Sequence, residues 1–401
     1  MLSYSSFIYL LIILWISPAW LDLSDSRDFK DRPRYSSPES MGMSSDTLAK
    51  IDVLMEQAIL DKVFPGGVVA VLKNGVIVYQ KAYGRHQYES DATPYQIDDI
   101  FDLASLTKVV ATTTSVMHLV NEGKLDLDDK ASRYLPEFET PPKNEITLRD
   151  LLLHESGLPA YRNYIDEISH RDSLLYAVLN EELLTSRGEK YVYSDLGFIL
   201  LAEIVERVSG ISFQDYVHAH IFSPLGMSET MFNPKIRFDD VLKRIPPTEI
   251  DTSYRKKVIQ AEVHDERAWL LGGIAGHAGL FSTSTDLATW ASMMMNYGRY
   301  DDVNIADSAL VSTFVRRQSK LANRGLGFDM KSENGFSSAG TLMSLSTFGH
   351  TGFTGTSVWM DPERGLSVIV LTNRTWPFRG SSAAIGRVRA SIADLTVKAI
   401  K

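Results

Sequence analysis

The chain has 401 residues, of which 44% are hydrophobic and 23% are charged, so we expect one large domain or two of ordinary size with a substantial core. A formal net charge of −9, with no long block of like charge, argues against nucleic acid as a partner. The absence of cysteine excludes disulfide bonds, thiol catalysis and cysteine-ligated zinc.

The N-terminus differs in composition from the rest of the chain. Phe7–Ile16 is an apolar run of signal-peptide length, too short to span a bilayer comfortably, and small residues follow at 17–19. This pattern predicts a signal peptide over residues 1–19 and an exported protein, periplasmic or extracellular. No Lys or Arg precedes the run, which leaves an uncleaved membrane anchor as the alternative.

Helix and hairpin signals open the predicted domain. Residues 20–42 are polar and predict a linker, and the domain is expected to span 43–401. Apolar spacing over 43–60 predicts an amphipathic helix, with Ser44 or Ser45 as its cap. Two β-rich runs follow, and Asn-Gly between them is typical of a tight hairpin because both turn residues must accept positive φ. The predicted strands are Gly67–Leu72 and Val76–Ala82.

Phe101–Leu125 contains the first chemical motif. Its apolar residues recur at helical spacing, and Gly123 is a natural C-terminal stop. Ser105 and Lys108 are three residues apart, so on a helix they share a face and the amine can reach the hydroxyl. S-x-x-K therefore offers a nucleophile with an adjacent base. The alternative is a capping or surface serine beside a solvated lysine.

The middle of the chain is predicted to be mostly helical and the end to return to strands. Long loops are expected over 233–279. Predicted helices lie at 147–154, 198–208, 213–221, 285–295 and 382–401, and predicted strands at 357–360 and 366–372. We expect the strands of the two ends to form one antiparallel sheet, with the helical middle inserted as a second lobe. The α/β lobe would comprise about 43–90 and 335–401, the helical lobe about 91–334, and the active site would lie between them.

Two further polar clusters follow the serine motif. Tyr193-Ser194-Asp195 precedes the 198–208 helix; in isolation, a structural role in the core is the alternative for this tyrosine. Gly349–Gly355, reading GHTGFTG, leads into a strand and lets the backbone approach a ligand closely; an ordinary glycine-rich strand entry is the alternative.

In this order the three clusters resemble the motifs of the serine β-lactamase and penicillin-binding-protein superfamily. The tyrosine of the middle motif is similar to that of the class C β-lactamase-like branch, which includes DD-peptidases and family VIII esterases. The phrases FDLASLTK, VHDE, GHAGLFST and GHTGFTGTS look like those of N-acetylmuramyl-L-alanine amidases. The resemblance implies an α+β, transpeptidase-like fold: an antiparallel sheet flanked by terminal helices, plus an inserted helical lobe.

The resemblance also implies a mechanism. Ser105 would attack a carbonyl, with Lys108 and Tyr193 moving its proton, and the backbone N–H groups of Ser105 and Phe353 would hold the oxyanion. The remaining predicted substrate-binding residues are Asp195, His350, Thr351 and Gly352. Neither a metal nor an organic cofactor is expected.

Two positions depart from the usual motifs. His350 stands where many relatives have lysine, and a histidine is mostly neutral at pH 7, which weakens the case for carboxylate-bearing substrates such as β-lactams and D-Ala-D-Ala ends. Asp195 replaces the usual asparagine. If its carboxylate reaches Lys108, the ammonium form is favoured and Tyr193 becomes the base.

The sequence therefore predicts a serine hydrolase that works through an acyl-enzyme on amide bonds of peptidoglycan fragments, as a muropeptide amidase or DD-peptidase. A carboxylesterase with little or no β-lactamase activity is the alternative, and an inactive cell-wall-binding relative is an alternative of another class. His264, Asp265 and His277 in the long loops are interpreted as surface or loop-bracing residues in preference to metal ligands, and they could line the cleft.

Overall fold

The computed structural model describes residues 33–236 and 241–401. The predicted signal segment, 1–19, and the first part of the predicted linker lie outside the described residues. Among the described helices, none is long and apolar enough to cross a membrane.

The folded unit begins at Pro33, ahead of the predicted domain start at 43. The reason is backbone pairing: the Ile77 N–H donates to the Arg34 carbonyl at 2.8 Å, and the Ser36 N–H donates to the Ile77 carbonyl at 3.0 Å. The last ten residues of the predicted linker are therefore part of the fold.

The helices and strands of the structure lie along the chain much as expected. The helices are α1 Ser45–Leu48, α2 Lys50–Leu60, α3 Thr114–Asn121, α4 Leu148–Leu153, α5 Arg171–Asn180, α6 Asp195–Ser209, α7 Phe213–Val217, α8 Ser223–Leu225, α9 Glu266–Leu270, α10 Ser284–Met295, α11 Ser308–Val315 and α12 Ala383–Lys398. The strands are β1 Gly66–Lys73, β2 Val76–Gly84, β3 Phe101–Asp102, β4 Met231–Phe232, β5 Glu249–Asp251, β6 Lys257–Ile259, β7 Leu280–Ser282, β8 Arg299–Tyr300, β9 Val303–Asn304, β10 Asp329–Met330, β11 Phe348–Thr351, β12 Ser357–Asp361 and β13 Leu366–Thr372.

A six-stranded antiparallel sheet joins the two ends of the chain, in the order β10-β11-β12-β13-β1-β2. The hairpin between β1 and β2 turns through Asn74 and Gly75, whose φ angles are 52° and 75°, as the Asn-Gly signal predicts. Ser44 caps α1 by accepting the Thr47 N–H. The predicted fold class is confirmed.

Both faces of the sheet are covered. Because side chains alternate along a strand, Val69 and Val71 of β1 pack with the terminal helices α1, α2 and α12, whereas Val68, Ala70 and Leu72 face the larger core on the other side. Burial on both faces explains why β1 reads as a continuous apolar run instead of an alternating one.

The predicted boundary of the helical lobe is wrong at its C-terminal end. α10 packs on the sheet: Gln80 of β2 donates to Ser284 Oγ at 2.8 Å, and Ser292 Oγ donates to the Gly75 carbonyl at 3.2 Å. β10 also joins the sheet as its edge strand. Both elements fall inside 91–334, the range predicted for the helical lobe. Helical spacing correctly indicated that α10 is a helix, but it did not show that α10 packs on the sheet.

The helix predicted within the stretch 101–125 is divided into three pieces. A 3-10 turn spans Ala104–Leu106, a π-helical stretch spans Lys108–Thr113, and α3 then runs to Asn121. Thr114 Oγ1 donates to the Val109 carbonyl five residues earlier at 2.8 Å, which supports the wider turn. Wide turns of this kind occur often at functional sites.

Candidate active site

Ser105 is presented by a strained backbone. Ala104, the residue before it, has a φ of 46°, a left-handed conformation that is costly for a residue with a Cβ. Asp102 holds this conformation, since its Oδ1 accepts the Ala104 N–H at 2.8 Å while its Oδ2 accepts the His264 N–H at 2.6 Å. Ser105 consequently sits at the head of the helical segment, open to the cleft.

Lys108 lies beneath Ser105 with a fully buried side chain. Its Nζ donates to Ser105 Oγ at 3.1 Å and to the His277 carbonyl at 3.0 Å, and it pairs with Asp195 Oδ1 at 2.8 Å. Burial alone would lower the pKa of Lys108, but the charge of Asp195 and the nearby Tyr193 outweigh it, so the pKa is raised. The condition stated from the sequence is met: Asp195 reaches Lys108 and favours the ammonium form.

Tyr193 immediately precedes α6, whose N-cap is Ser194. Its ring packs against His154 at 4.5 Å between centroids, and the Lys108 ammonium lies 4.9 Å from the ring centre. His154 Nδ1 accepts the Ser194 N–H at 2.9 Å, so one histidine supports both the ring and the backbone of this motif.

Sequence reasoning placed His154 only at the end of a helix. Its φ of 59° as the C-cap of α4 turns the ring back toward Tyr193. Burial holds the pKa of His154 well below its usual range, so the ring is neutral. In the sequence, the local signal for this role is a histidine, instead of the usual glycine, at the position where the helix ends and the backbone turns left-handed.

The wall opposite Tyr193 is the turn between β11 and β12. Thr354 Oγ1 donates to the Asp102 carbonyl at 2.7 Å, and Thr356 Oγ1 donates to the Leu103 carbonyl at 2.9 Å. These two bonds hold the turn directly beside the segment that carries Ser105. The Phe353 backbone is therefore close to Ser105, and Phe353 as a whole is 47% exposed.

Gly352→Ala should disrupt this arrangement, because a Cβ at 352 would lie 2.0 Å from Thr356 Oγ1 and 2.4 Å from the Leu103 carbonyl oxygen. The Leu103 carbonyl belongs to the backbone, so moving it would distort the segment that carries Ser105. We expect a loss of activity of at least about 100-fold, the effect of losing an oxyanion donor, in a protein that still folds. Gly380→Ala is the matched control, since nothing lies within 4 Å of its Cβ position. Equal activities of the two variants would contradict the close approach.

His350 lies on β11 and is buried. Its Nδ1 hydrogen-bonds the Thr351 carbonyl at 2.8 Å, and since a carbonyl only accepts, Nδ1 carries the proton. Burial lowers the pKa of His350 to about 4, so the ring is neutral and gives no positive charge at pH 7. Thr351 pairs with Ser357 at the end of the strand, on the edge of the cleft.

Ser105, Tyr193 and Phe353 divide the cleft into two halves. The half of about 570 Å³ is here called the neutral half; its other charged lining residues are Arg162, Asp195, Asp265, Glu266, Arg267 and Arg379. The half of about 620 Å³ is here called the arginine half; its other lining residues include His350, Thr351, Gly352, Arg324, Asp329, Arg374 and Arg389. The structure thus brings all the predicted site residues to one cleft, with Lys108 beneath it.

Asp195, Asp265 and His277 also meet beside Lys108, with potential ligand atoms within 4.8 Å of one another. Arg267 Nη2 contacts both carboxylates, at 3.1 Å from Asp195 and 2.7 Å from Asp265, and Lys108 contacts Asp195. A cation there would have to displace charges that the protein already supplies. We therefore interpret the group as a charge network.

Comparisons with known proteins identify the family to which this chain belongs. A family model described as Beta-lactamase matches residues 49–390. A protein of Salmonella heidelberg (strain SL476), provisionally named a D-alanyl-D-alanine carboxypeptidase, is 33% identical over 370 residues, which cover 84% of this chain and 85% of that protein.

Solved structures share the fold at lower identity. EstCE1, a hydrolase with promiscuous acyltransferase activity, is 24% identical, with a TM-score of 0.69 over 88% of this chain and 99% of that one. An octameric penicillin-binding protein homologue from Pyrococcus abyssi is 23% identical, with a TM-score of 0.64 over 81% of this chain and 73% of that one.

The family model spans most of the chain, and the Salmonella relative is similar over more than four-fifths of it. The predicted superfamily and enzyme class are confirmed, and the alternative of an inactive binding relative is set aside. This chain is a serine hydrolase of the beta-lactamase family.

Proposed function

We propose that the protein hydrolyses the C-terminal amide bond of peptidoglycan-derived peptides that end in a free carboxylate, as a DD-carboxypeptidase does. The observation that carries this proposal is the charge of the arginine half of the cleft, next to Ser105. It is lined by Arg324, Arg374 and Arg389 but by a single acid, Asp329. The neutral half has as many acids as arginines.

Arg324 supports a carboxylate site most directly. It is buried, pairs with Asp329 at 2.9 Å and donates to the Tyr191 hydroxyl at 2.8 Å, and its guanidinium lies 5.3 Å from the centre of the Tyr193 ring. Its Nη1 is buried and has no acceptor among the residues that the structure describes. A substrate carboxylate would supply that acceptor in a charge-assisted bond.

Arg389 and Arg374 add to the positive potential. Burial and the neighbouring Arg374 lower the pKa of Arg389 to about 9. Arg389 donates only to the carbonyls of Gly352 and Thr356, at 3.0 and 2.8 Å, within the described residues. A cation without a counter-charge favours an anion nearby. The positive charge of these arginines supports the proposal of a carboxylate substrate although His350 itself is neutral.

In the proposed reaction, Ser105 Oγ attacks the carbonyl carbon and its proton passes to the phenolate form of Tyr193, whose negative charge the Lys108 ammonium would offset. The N–H groups of Ser105 and Phe353 would stabilise the oxyanion. The C–N bond then breaks, the leaving amine takes a proton from Tyr193, and water releases the acyl group by the reverse sequence. No metal or organic cofactor is needed for these steps.

The test compares an N-acyl-D-Ala-D-Ala peptide with its C-terminal amide, which lacks the negative charge. The parent should prefer the carboxylate, and Arg324→Gln should lower kcat/KM for the carboxylate by roughly 10- to 100-fold more than for the amide, the worth of a charge-assisted hydrogen bond. Arg133→Gln, at an exposed arginine, is the control. The preference should stay level from pH 5.5 to 8, because His350, with a pKa of about 4, does not titrate there.

Equal losses for the two substrates would contradict the carboxylate proposal. A dominant rate on uncharged esters would instead favour the carboxylesterase.

We also propose that the protein is exported. The composition of residues 1–19 supports this proposal, and the proposed substrate, which lies outside the cytoplasmic membrane, is consistent with it.

A further inference from the structure

A closed ring of polar contacts includes Lys108 and three residues to which the motifs gave no catalytic role. Lys108 pairs with Asp195, Asp195 with Arg267 at 3.1 Å, and Arg267 with Asp265 at 2.7 Å. Asp265 then bonds His277 Nε2 at 2.9 Å, and the His277 carbonyl accepts from Lys108 at 3.0 Å. The ring joins three parts of the chain that are far apart in sequence, around residues 108, 195 and 265–277.

We propose that Asp265 and Arg267 are positioning residues that set the charge balance of the Lys108–Tyr193 pair through Asp195. The inference rests on the proposed catalytic assignment of Ser105, Lys108 and Tyr193, and it is independent of the substrate.

Geometry gives Arg267 a fixed orienting role. Its Nη2 holds Asp195 Oδ2, which leaves Oδ1 facing Lys108 at 2.8 Å. Asp265 is the N-cap of α9 and accepts the N–H groups of Arg267 and Ala268, both at 2.9 Å, so its carboxylate cannot move without unwinding the helix start. The guanidinium also lies 5.1 Å from the Tyr161 ring centre.

The charges around the ring alternate in sign. Lys108 and Arg267 are positive, and Asp195 and Asp265 are negative. Burial opposes both carboxylates, yet Lys108 lowers the pKa of Asp195, and Arg267 with His277 holds the pKa of Asp265 well below its usual range. All four groups are therefore charged across the working pH range, and removing one leaves a net charge beside the catalytic pair.

Other titratable or charged groups face Lys108 and Tyr193 from the opposite side. They are His154 at the end of α4, Arg324 and Asp329 near β10, and His350 on β11. None belongs to the ring, and all stay unchanged in the variants below, so their contributions cancel in the comparison.

The readout is the second-order rate of fluorophosphonate labelling of Ser105 against pH. It follows nucleophile activation without any assumption about the natural substrate. The acidic limb of this pH–rate profile, where the rate rises with pH, reports loss of a proton from the coupled Lys108–Tyr193 pair. Arg267→Gln removes a positive charge and should move this limb to higher pH; Asp265→Asn removes a negative charge and should move it to lower pH. Each shift is expected to be roughly one pH unit.

Two further variants separate positioning from a merely structural role. The double variant Asp265→Asn with Arg267→Gln removes one charge of each sign, and its limb should return toward that of the parent. Arg267→Lys keeps the charge and should leave the limb in place. If Arg267→Gln does not fold, the downward shift of Asp265→Asn carries the test, because asparagine retains an oxygen for the N-cap bonds.

Opposite shifts that cancel in the double variant support the proposal. Limbs that do not move, or that move in the same direction, overturn it while leaving the catalytic assignment intact. A parent that shows no labelling dependent on Ser105 overturns the catalytic assignment itself.

Discussion

Ser105→Ala should abolish both hydrolysis and covalent labelling by a fluorophosphonate while leaving the protein folded. The loss is expected to be about a million-fold in kcat, because the nucleophile acts as a unit with its base. Alanine suits the helical segment and removes only the Oγ that Lys108 contacts at 3.1 Å. Steady-state rates on the D-Ala-D-Ala peptide, gel labelling and circular dichroism are the measurements.

Ser312→Ala in α11, outside the cleft, is the control and should be labelled as the parent is. A folded Ser105→Ala protein that still turned over substrate or took up the probe would remove the nucleophile assignment.

Tyr193→Phe should lower the acylation rate by about 10²- to 10⁴-fold, the usual worth of a general base. Phenylalanine keeps the ring that packs on His154 at 4.5 Å and lies 4.9 Å from Lys108, so only proton transfer is lost. Tyr176→Phe, at an exposed tyrosine of α5, is the control. Single-turnover labelling isolates the acylation step.

Lys108→Ala tests whether the two residues act together. If Lys108 and Tyr193 act as one unit in proton transfer, the double variant Lys108→Ala with Tyr193→Phe should be little slower than the slower single variant. Losses that multiply would instead mean that the two residues act in separate steps.

Much of the fold could be predicted because its signals are local. Asn74-Gly75 forms the predicted tight hairpin, the predicted helix at 147–154 begins with a capping box of Thr147 and Asp150, and Gly210 ends α6 at a φ of 76°. Each signal depends on the backbone preferences of a few neighbouring residues. Which part of the fold α10 packs against depends on tertiary contacts, and the periodicity of its sequence did not reveal that it packs on the sheet.

The candidate site was predictable where chemistry follows a fixed spacing. Ser105 and Lys108 are three residues apart, and their contact follows from one helical turn. Arg324 is different: it meets Tyr191 and Tyr193 from more than 130 residues away in sequence. Asp265 and Arg267 likewise reach Asp195 only through folding of the long loops. No spacing rule links such residues, so a single sequence could not pair them.

The substitution at 350 illustrates how a missing charge can be replaced. The sequence correctly indicated that histidine would be neutral there, and burial lowers its pKa to about 4. The cation that we propose in its place, Arg324, comes from another part of the chain and lies 5.3 Å from the centre of the Tyr193 ring. The neutrality of position 350 was readable from the sequence, but a cation supplied by a residue distant in sequence was not.

The proposed acyl-enzyme on Ser105 can be detected directly by mass spectrometry, first of the whole protein and then of its peptides. The protein is mixed with the N-acyl-D-Ala-D-Ala peptide, quenched in acid within milliseconds to seconds, and digested to locate any adduct. We expect a mass increase equal to the acyl part of the substrate, without the leaving D-alanine, on the peptide that contains Ser105. An adduct on another residue would contradict the acyl-enzyme on Ser105. So would steady turnover with no adduct at any quench time, provided that an ester chosen for slow deacylation also leaves no adduct.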